Sequence, residues 1–150
     1  MSTVKVLQYY AEKTTMSMGA ILAAGSGINA MSTWLDTTAG NIANSNNAVP
    51  GGKPTYRTQE PVLATIPATP GGVAQGRGVA VAGIALGSST GSIAYEPGNP
   101  IANAQGMVSY PSVGLGGQMV DMLSSQIGYQ ANVDVVKSAY AAYQSLLSVP

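Results

Sequence analysis

The side chains able to do chemistry are few, and their spacing argues against catalysis. The 150-residue chain contains no histidine and no cysteine. The commonest general base, the triad base and the thiol nucleophile are therefore missing, and so are disulfide stapling and nearly all zinc chemistry. Six carboxylates face six basic residues in number, widely dispersed, with no pair at an obvious acid–base spacing. The run "GGVAQGRG" (Gly71–Gly78) is glycine-rich but lacks the Gly-Lys-Ser/Thr ending of a phosphate loop, and no helical pattern follows it. It belongs to a stretch, 67–78, that reads as a mobile loop. Lys53, Arg57 and Arg77 read as solvated charges. Tyr129, Tyr140 and Tyr143 suggest a ligand platform, but tyrosine at helical spacing usually supplies packing area with a polar tip. No catalytic residue, metal ligand or cofactor is expected.

Amide chemistry is what the chain does offer. The string "AGNIANSNN" (Ala39–Asn47) holds Asn41, Asn44, Asn46 and Asn47. Asparagine is a mediocre helix residue because its short amide competes for nearby backbone groups. At the last turns of a helix it can cap carbonyls, tolerate left-handed backbone or bond to a neighbouring chain. It does so without the desolvation cost of a buried ion. A C-cap serving the chain alone is the plainer alternative.

A long helix must carry these amides. Ile21, Ile28, Leu35 and Ile42 recur every seven residues, with Ala24, Met31 and Thr38 three places after the first three. This is a coiled-coil-like seam with mostly small partners, and it predicts a helix over 16–47 that packs along another long helix. Gly25 and Gly27 weaken the isolated helix by up to ~1 kcal/mol each, so the helix needs a partner. Trp34, beside the seam, is an interface or core anchor. Residues 1–15 show no period and are expected to form an extended or mobile arm.

The stretch 48–112 is different in character. The breaker cluster "VPGGKP" (Val49–Pro54) precedes short segments that read as strands: Tyr56–Thr58, Val62–Ile66, Val79–Leu86 and Ser92–Tyr95. A bulge is expected at Gly83, a hairpin connection at Gly87–Gly91 and a turn at "EPGNP" (Glu96–Pro100). Together these make one small sheet. Over 113–150 a second helical period returns. Val120, Leu123 and Ile127 are followed, after a phase shift near Gly128, by Tyr129, Val133, Val136, Tyr140, Tyr143 and Leu147. The fold class is therefore α+β, with two long antiparallel terminal helices and a small inserted β domain.

Charge is scarce and uneven. Only 8% of residues are charged, and none lies between Lys13 and Asp36, between Glu60 and Arg77, or between Glu96 and Asp121. Such bare stretches suggest surfaces that end against other chains. A low-charge secreted domain with polar faces is the alternative. The balanced charge gives no footprint for nucleic acid, and no stretch approaches the ~20 apolar residues of a membrane span. "AILAA" (Ala20–Ala24) is shorter than the apolar core of a signal peptide.

These residues resemble a known family. "SGINAMSTWLDTTAGNIAN" (Ser26–Asn44) is similar to the N-terminal signature of bacterial flagellar rod and hook proteins, which begins Ser-Gly-Leu and ends Ala-x-Asn-Ile-Ala-Asn. Here Ser26, Gly27, Ile28, Ala30, Leu35, Ala39, Asn41, Ile42, Ala43 and Asn44 stand at matching spacing. "TYRTQEPVL" (Thr55–Leu63), "YEPGNPIANAQGMVSYPSV" (Tyr95–Val113) and "MVDMLSSQIGYQANVDVVKSA" (Met119–Ala139) continue the likeness, collinearly, to the C-terminus. The family tends to carry Gln and Arg where Met31 and Trp34 stand.

The resemblance implies a structural subunit of the flagellar basal-body rod, at its proximal level. Another axial protein, of the distal rod or the hook junction, is the alternative, and a small secreted adhesive or ligand-binding sandwich a more distant one. It also implies periplasmic placement, export through the flagellar type III apparatus without a cleaved signal, and packing of the helices into a tube around the export channel. The partners implied are copies of the chain, other rod proteins and an adaptor at the rod base. The residues expected at subunit interfaces are Ile21, Ile28, Met31, Trp34, Leu35, Asn41, Ile42 and Asn44 on the first helix. On the second they are Leu123, Ile127, Tyr129, Gln130, Asn132, Val133, Val136 and Tyr140.

Overall fold

The computed structural model describes residues 3–67 and 78–147; most of the loop expected at 67–78 lies outside them. The elements run α1 (Thr3–Ala43), β1 (Val49–Pro50), β2 (Gln59–Thr65), β3 (Val79–Leu86), β4 (Ser92–Tyr95), β5 (Met107–Tyr110) and α2 (Leu115–Leu147). Two long helices bracket a small β region, as the α+β reading expected.

Helix α1 begins much earlier than its apolar seam. Residues 3–15, expected as an extended arm, are helical. Leu7, Gln8, Ala11, Glu12 and Lys13 are good helix formers, so propensity continues the helix where no stripe marks it. Lys13 Nζ lies 5.7 Å from the Tyr9 ring centroid, one turn back. At the other end, the Gly40 carbonyl accepts from both Asn44 N (3.1 Å) and Asn44 Nδ2 (2.8 Å), and Ser45 N bonds to Ile42 O at 3.2 Å. No described residue other than glycine has a positive φ. The left-handed cap that asparagine permits is therefore not the device used: a side-chain amide closes the last turn.

The chain forms two compact units, one of residues 1–32, 63–81 and 126–150, the other of 33–62 and 82–125. In the first, the helices run antiparallel and approach closely. A side chain on Gly27 would overlap the amide of Asn132, and a Cβ on Gly128 would lie 2.7 Å from Met31 Sδ. Asn132 Nδ2 is itself held by Gly128 O at 2.7 Å. Ala24, Ala30 and Ala139 are buried, so the seam is made of small residues, with Ile21 and Ile28 half-buried at its sides. The hydroxyl of Ser26 receives Val79 N at 3.0 Å and donates to Ala23 O at 2.6 Å. Gly78, at φ +102°, sits against Ser26 where a Cβ would overlap the hydroxyl.

In the second unit, β1, β5 and β4 form an antiparallel sheet in the order β1-β5-β4, with Val49 opposite Ser109, Ser92 opposite Tyr110 and Tyr95 opposite Met107. Val108, on the central strand, is fully buried. Asn103 stitches the sheet end: Nδ2 donates to Gly51 O (3.0 Å), and Oδ1 accepts from Gln105 N and Met107 N, both at 2.9 Å. The Glu96–Pro100 turn forms as expected, with Asn99 N bonding to Glu96 O at 3.0 Å. The Glu96 carboxylate accepts from Asn99 Nδ2 (2.8 Å) and from the Tyr110 hydroxyl (3.1 Å).

Three strand-level expectations need correction. There are two sheets among the described residues rather than one, the second being the pair β2-β3. The segment Gly87–Gly91 therefore connects strands of different sheets and is not a hairpin turn. Tyr56–Thr58 is not a strand. Its neighbour Thr55 bonds to Ser89 O through both N and Oγ1, Arg57 Nε reaches Gly87 O at 2.7 Å, and Tyr56 reaches α1. The β2-β3 pair is closed at its ends by Ile66 N to Gly78 O and Gly87 N to Thr58 O. From 58 to 66 is eight steps and from 78 to 87 nine, so β3 carries one extra residue, as a bulge requires.

Candidate subunit interface

The candidate site is a pair of helical surfaces and the amide cluster that anchors them. In the second unit, Asn41 is 2% exposed. Its Nδ2 donates to Gln59 O (2.9 Å) and Gln118 Oε1 (2.7 Å), and its Oδ1 accepts from the Tyr56 hydroxyl (3.0 Å) and Gln59 N (2.9 Å). Two donor hydrogens and two acceptor positions are all engaged, so the side chain is satisfied. It ties the end of α1 to the first residue of β2 and the first turn of α2. Asn41 was expected to face another chain; its amide is instead wholly committed within its own. Asn44 likewise bonds to Gly40. Thr37, Thr38 and Ser125 are buried nearby, Thr37 and Ser125 with hydroxyls returned to helix carbonyls. Small and polar residues thus line both helices here too.

The large apolar residues lie elsewhere. On α2, Met119, Val120, Leu123 and Ile127 are each more than half exposed, Ile127 at 71%. Tyr140 is 56% exposed, and Tyr129 and Gln130 are exposed. Val133, Val136 and Asn132 are half-buried, as are Met31, Trp34, Leu35 and Ile42 on α1. The expected interface residues therefore divide. Leu123, Ile127, Tyr129, Gln130 and Tyr140 stand open, Asn41 is internal, and the remainder lie partly covered by their own chain. Outside the expected set, Leu22 and Val120 are exposed by half or more, as are Met16, Met18 and Met119, methionines that the sequence marks by their clustering on stretches bare of charge. An apolar row on the outside of a helix is unusual in a chain that stays alone, and methionine adapts to irregular contacts.

Among the described residues no three His, Cys, Asp or Glu side chains come together to hold a metal. No helix among them is long and apolar enough to cross a membrane. The Tyr110 phenol lies above its ordinary pKa. The hydrogen bond to Glu96, with some desolvation and the carboxylate's charge, pushes it upward.

No family model matches the chain. Individual proteins do. The flagellar basal-body rod protein FlgC of Escherichia coli O157:H7 is 40% identical over 116 residues, covering 77% of this chain and 84% of that protein. FlgC of Salmonella typhimurium is 38% identical over the same span. FlgC of Borreliella burgdorferi is 32% identical over 143 residues, covering 84% of this chain and 92% of its own. With two long terminal helices around a small β region, the chain falls in the class of flagellar rod structural proteins. It belongs to the family of flagellar basal-body rod proteins FlgC.

Proposed function

We propose that the chain is a structural subunit of the proximal rod, assembling through its helical termini with copies of itself and other rod proteins into the tube around the export channel. The observation that carries this reading is the apolar row Met119, Val120, Leu123 and Ile127, left open while the chain's own seam is filled by alanine, glycine, threonine and asparagine. At ~25 cal/mol per Å2, the few thousand Å2 of apolar surface available in such an assembly outweighs the cost of association. Export through the flagellar type III apparatus without a cleaved signal, a place in the periplasm and contact with an adaptor at the rod base belong to the same reading. The short region between the helices favours the proximal rod over the distal rod or hook junction, whose longer members carry additional β domains. The test is a deletion strain and its complementation. Loss of swimming, restored by the chain and placed by imaging a tagged copy at the rod base, supports the proposal. A deletion strain that swims normally overturns it.

A further inference from the structure

A cavity of about 290 Å3 opens in the second unit, beside the Asn41 cluster. Its lining includes two carboxylates, Glu60 and Asp121, and no basic side chain. The one ion pair among the described residues joins Lys137 to Asp134, so neither carboxylate has a counter-charge there. Thr38 also lines the cavity. The residue is 2% exposed, yet its hydroxyl meets no partner among the described residues. No buried side-chain polar atom is left unsatisfied in the described structure, so this hydroxyl is open to the cavity rather than sealed away. The indole of Trp34 forms part of the wall, a surface that attracts cations over its face, and the Gln118 amide stands alongside.

We propose that this cavity is a binding site for a guanidinium or ammonium side chain of a neighbouring chain in the assembly. The argument is complementarity. Two uncompensated carboxylates, an unengaged buried hydroxyl and an aromatic wall together accept what a cation with several N–H donors offers. The planar, forked guanidinium, with five N–H donors and a flat face, matches this mixture of acceptors and aromatic surface better than an ammonium does. The occupant, a neighbour's side chain, rests on the assembly reading above; the cation chemistry of the cavity does not.

Trp34 is the only tryptophan in the chain, so in the folded chain the indole fluorescence comes from a residue that lines this cavity. The experiment titrates the full-length chain with N-acetylarginine amide, using the neutral N-acetylcitrulline amide as a shape-matched control at constant ionic strength. A saturable change with the cation and none with the control is expected. Glu60→Gln and Asp121→Asn are each expected to weaken binding about two- to fivefold, the range for partly exposed charge pairs. Thr38→Val is expected to weaken it as well, without any change of charge, and circular dichroism confirms that each variant is folded. An equal response to citrulline, or binding unchanged in all three variants, overturns the proposal. The Glu60→Gln/Asp121→Asn chain is then supplied to the deletion strain. Reduced rod assembly supports a neighbour's side chain as occupant; normal rods with arginine binding intact in the native chain overturn that part and leave a free cation as the ligand. A deletion strain that swims normally defeats the rod reading while leaving the titration unaffected.

Discussion

Replacing Asn41 by alanine separates a residue that holds one chain together from one that joins two. The amide makes four hydrogen bonds, at 2.7 to 3.0 Å. On truncation, the Gln118 amide turns to water in the adjoining cavity. Three groups lose a partner: Gln59 N–H, Gln59 C=O and the Tyr56 hydroxyl. At about 1 kcal/mol for each bond, the loss is about 3 kcal/mol, a large share of the roughly 5–15 kcal/mol that holds a domain folded. It corresponds to a fall in Tm of about 6–12 °C for a chain of this length. Gln118→Ala should cost only about 1 kcal/mol, since Asn41 Nδ2 keeps its bond to Gln59 O. The assay is urea unfolding of the purified chain, followed by Trp34 fluorescence, at low and fixed concentration. Asn41→Ala within about 0.5 kcal/mol of the native chain, a shift typical of a neutral surface change, would refute the reasoning. If that same variant then failed to form rods, the amide would serve neighbours after all.

Other substitutions test other links. Leu123→Ser with Ile127→Ser removes apolar area from an exposed row, so unfolding of the isolated chain should move by less than about 0.5 kcal/mol while the swimming halo collapses; a stability loss with normal swimming contradicts the assignment. Gly128→Ala meets only the flexible end of Met31 and gains helix propensity of up to ~1 kcal/mol, so it should be close to neutral. Gly27→Ala meets the Asn132 amide, which cannot turn without leaving Gly128 O, and should cost about 1–2 kcal/mol in the same measurement. Because the Tyr110 phenol is raised in the folded chain, its contribution is fully present below the unfolded value near 10 and disappears as pH climbs through the higher folded value. Native stability should therefore fall above about pH 10, and Tyr110→Phe should flatten that fall; identical pH profiles would count against the Glu96 contact.

The two helices were legible because a repeat of seven and its 3–4 spacing persist only when one face stays against something. The strands Val79–Leu86 and Ser92–Tyr95 were legible at their ends, since glycine and proline bracket them. Residues 3–15 were not, because a helix held by propensity leaves no stripe to read. The strand Met107–Tyr110 escaped for the opposite reason. It is central, with Val108 and Ser109 both buried, so it shows no alternation, and four residues are too few to mark a run. Single sheet or two was beyond the sequence, since pairing partners are chosen by contacts far along the chain. The asparagine cluster was plainly visible as a feature. Which partners its amides take depended on Tyr56, Gln59 and Gln118, and nothing local announces those.

The seam between the helices is narrow because glycine, alanine and asparagine fill it. Slim side chains let two backbones draw close, and a pair of slim rods occupies little girth. In the tube proposed for this chain, a hollow bore leaves room for only so many staves around its circumference. On that proposal, thickening one stave by a leucine's breadth at Gly27 or Ala24 would widen the barrel or leave a gap between staves, a fault that no single isolated stave would reveal.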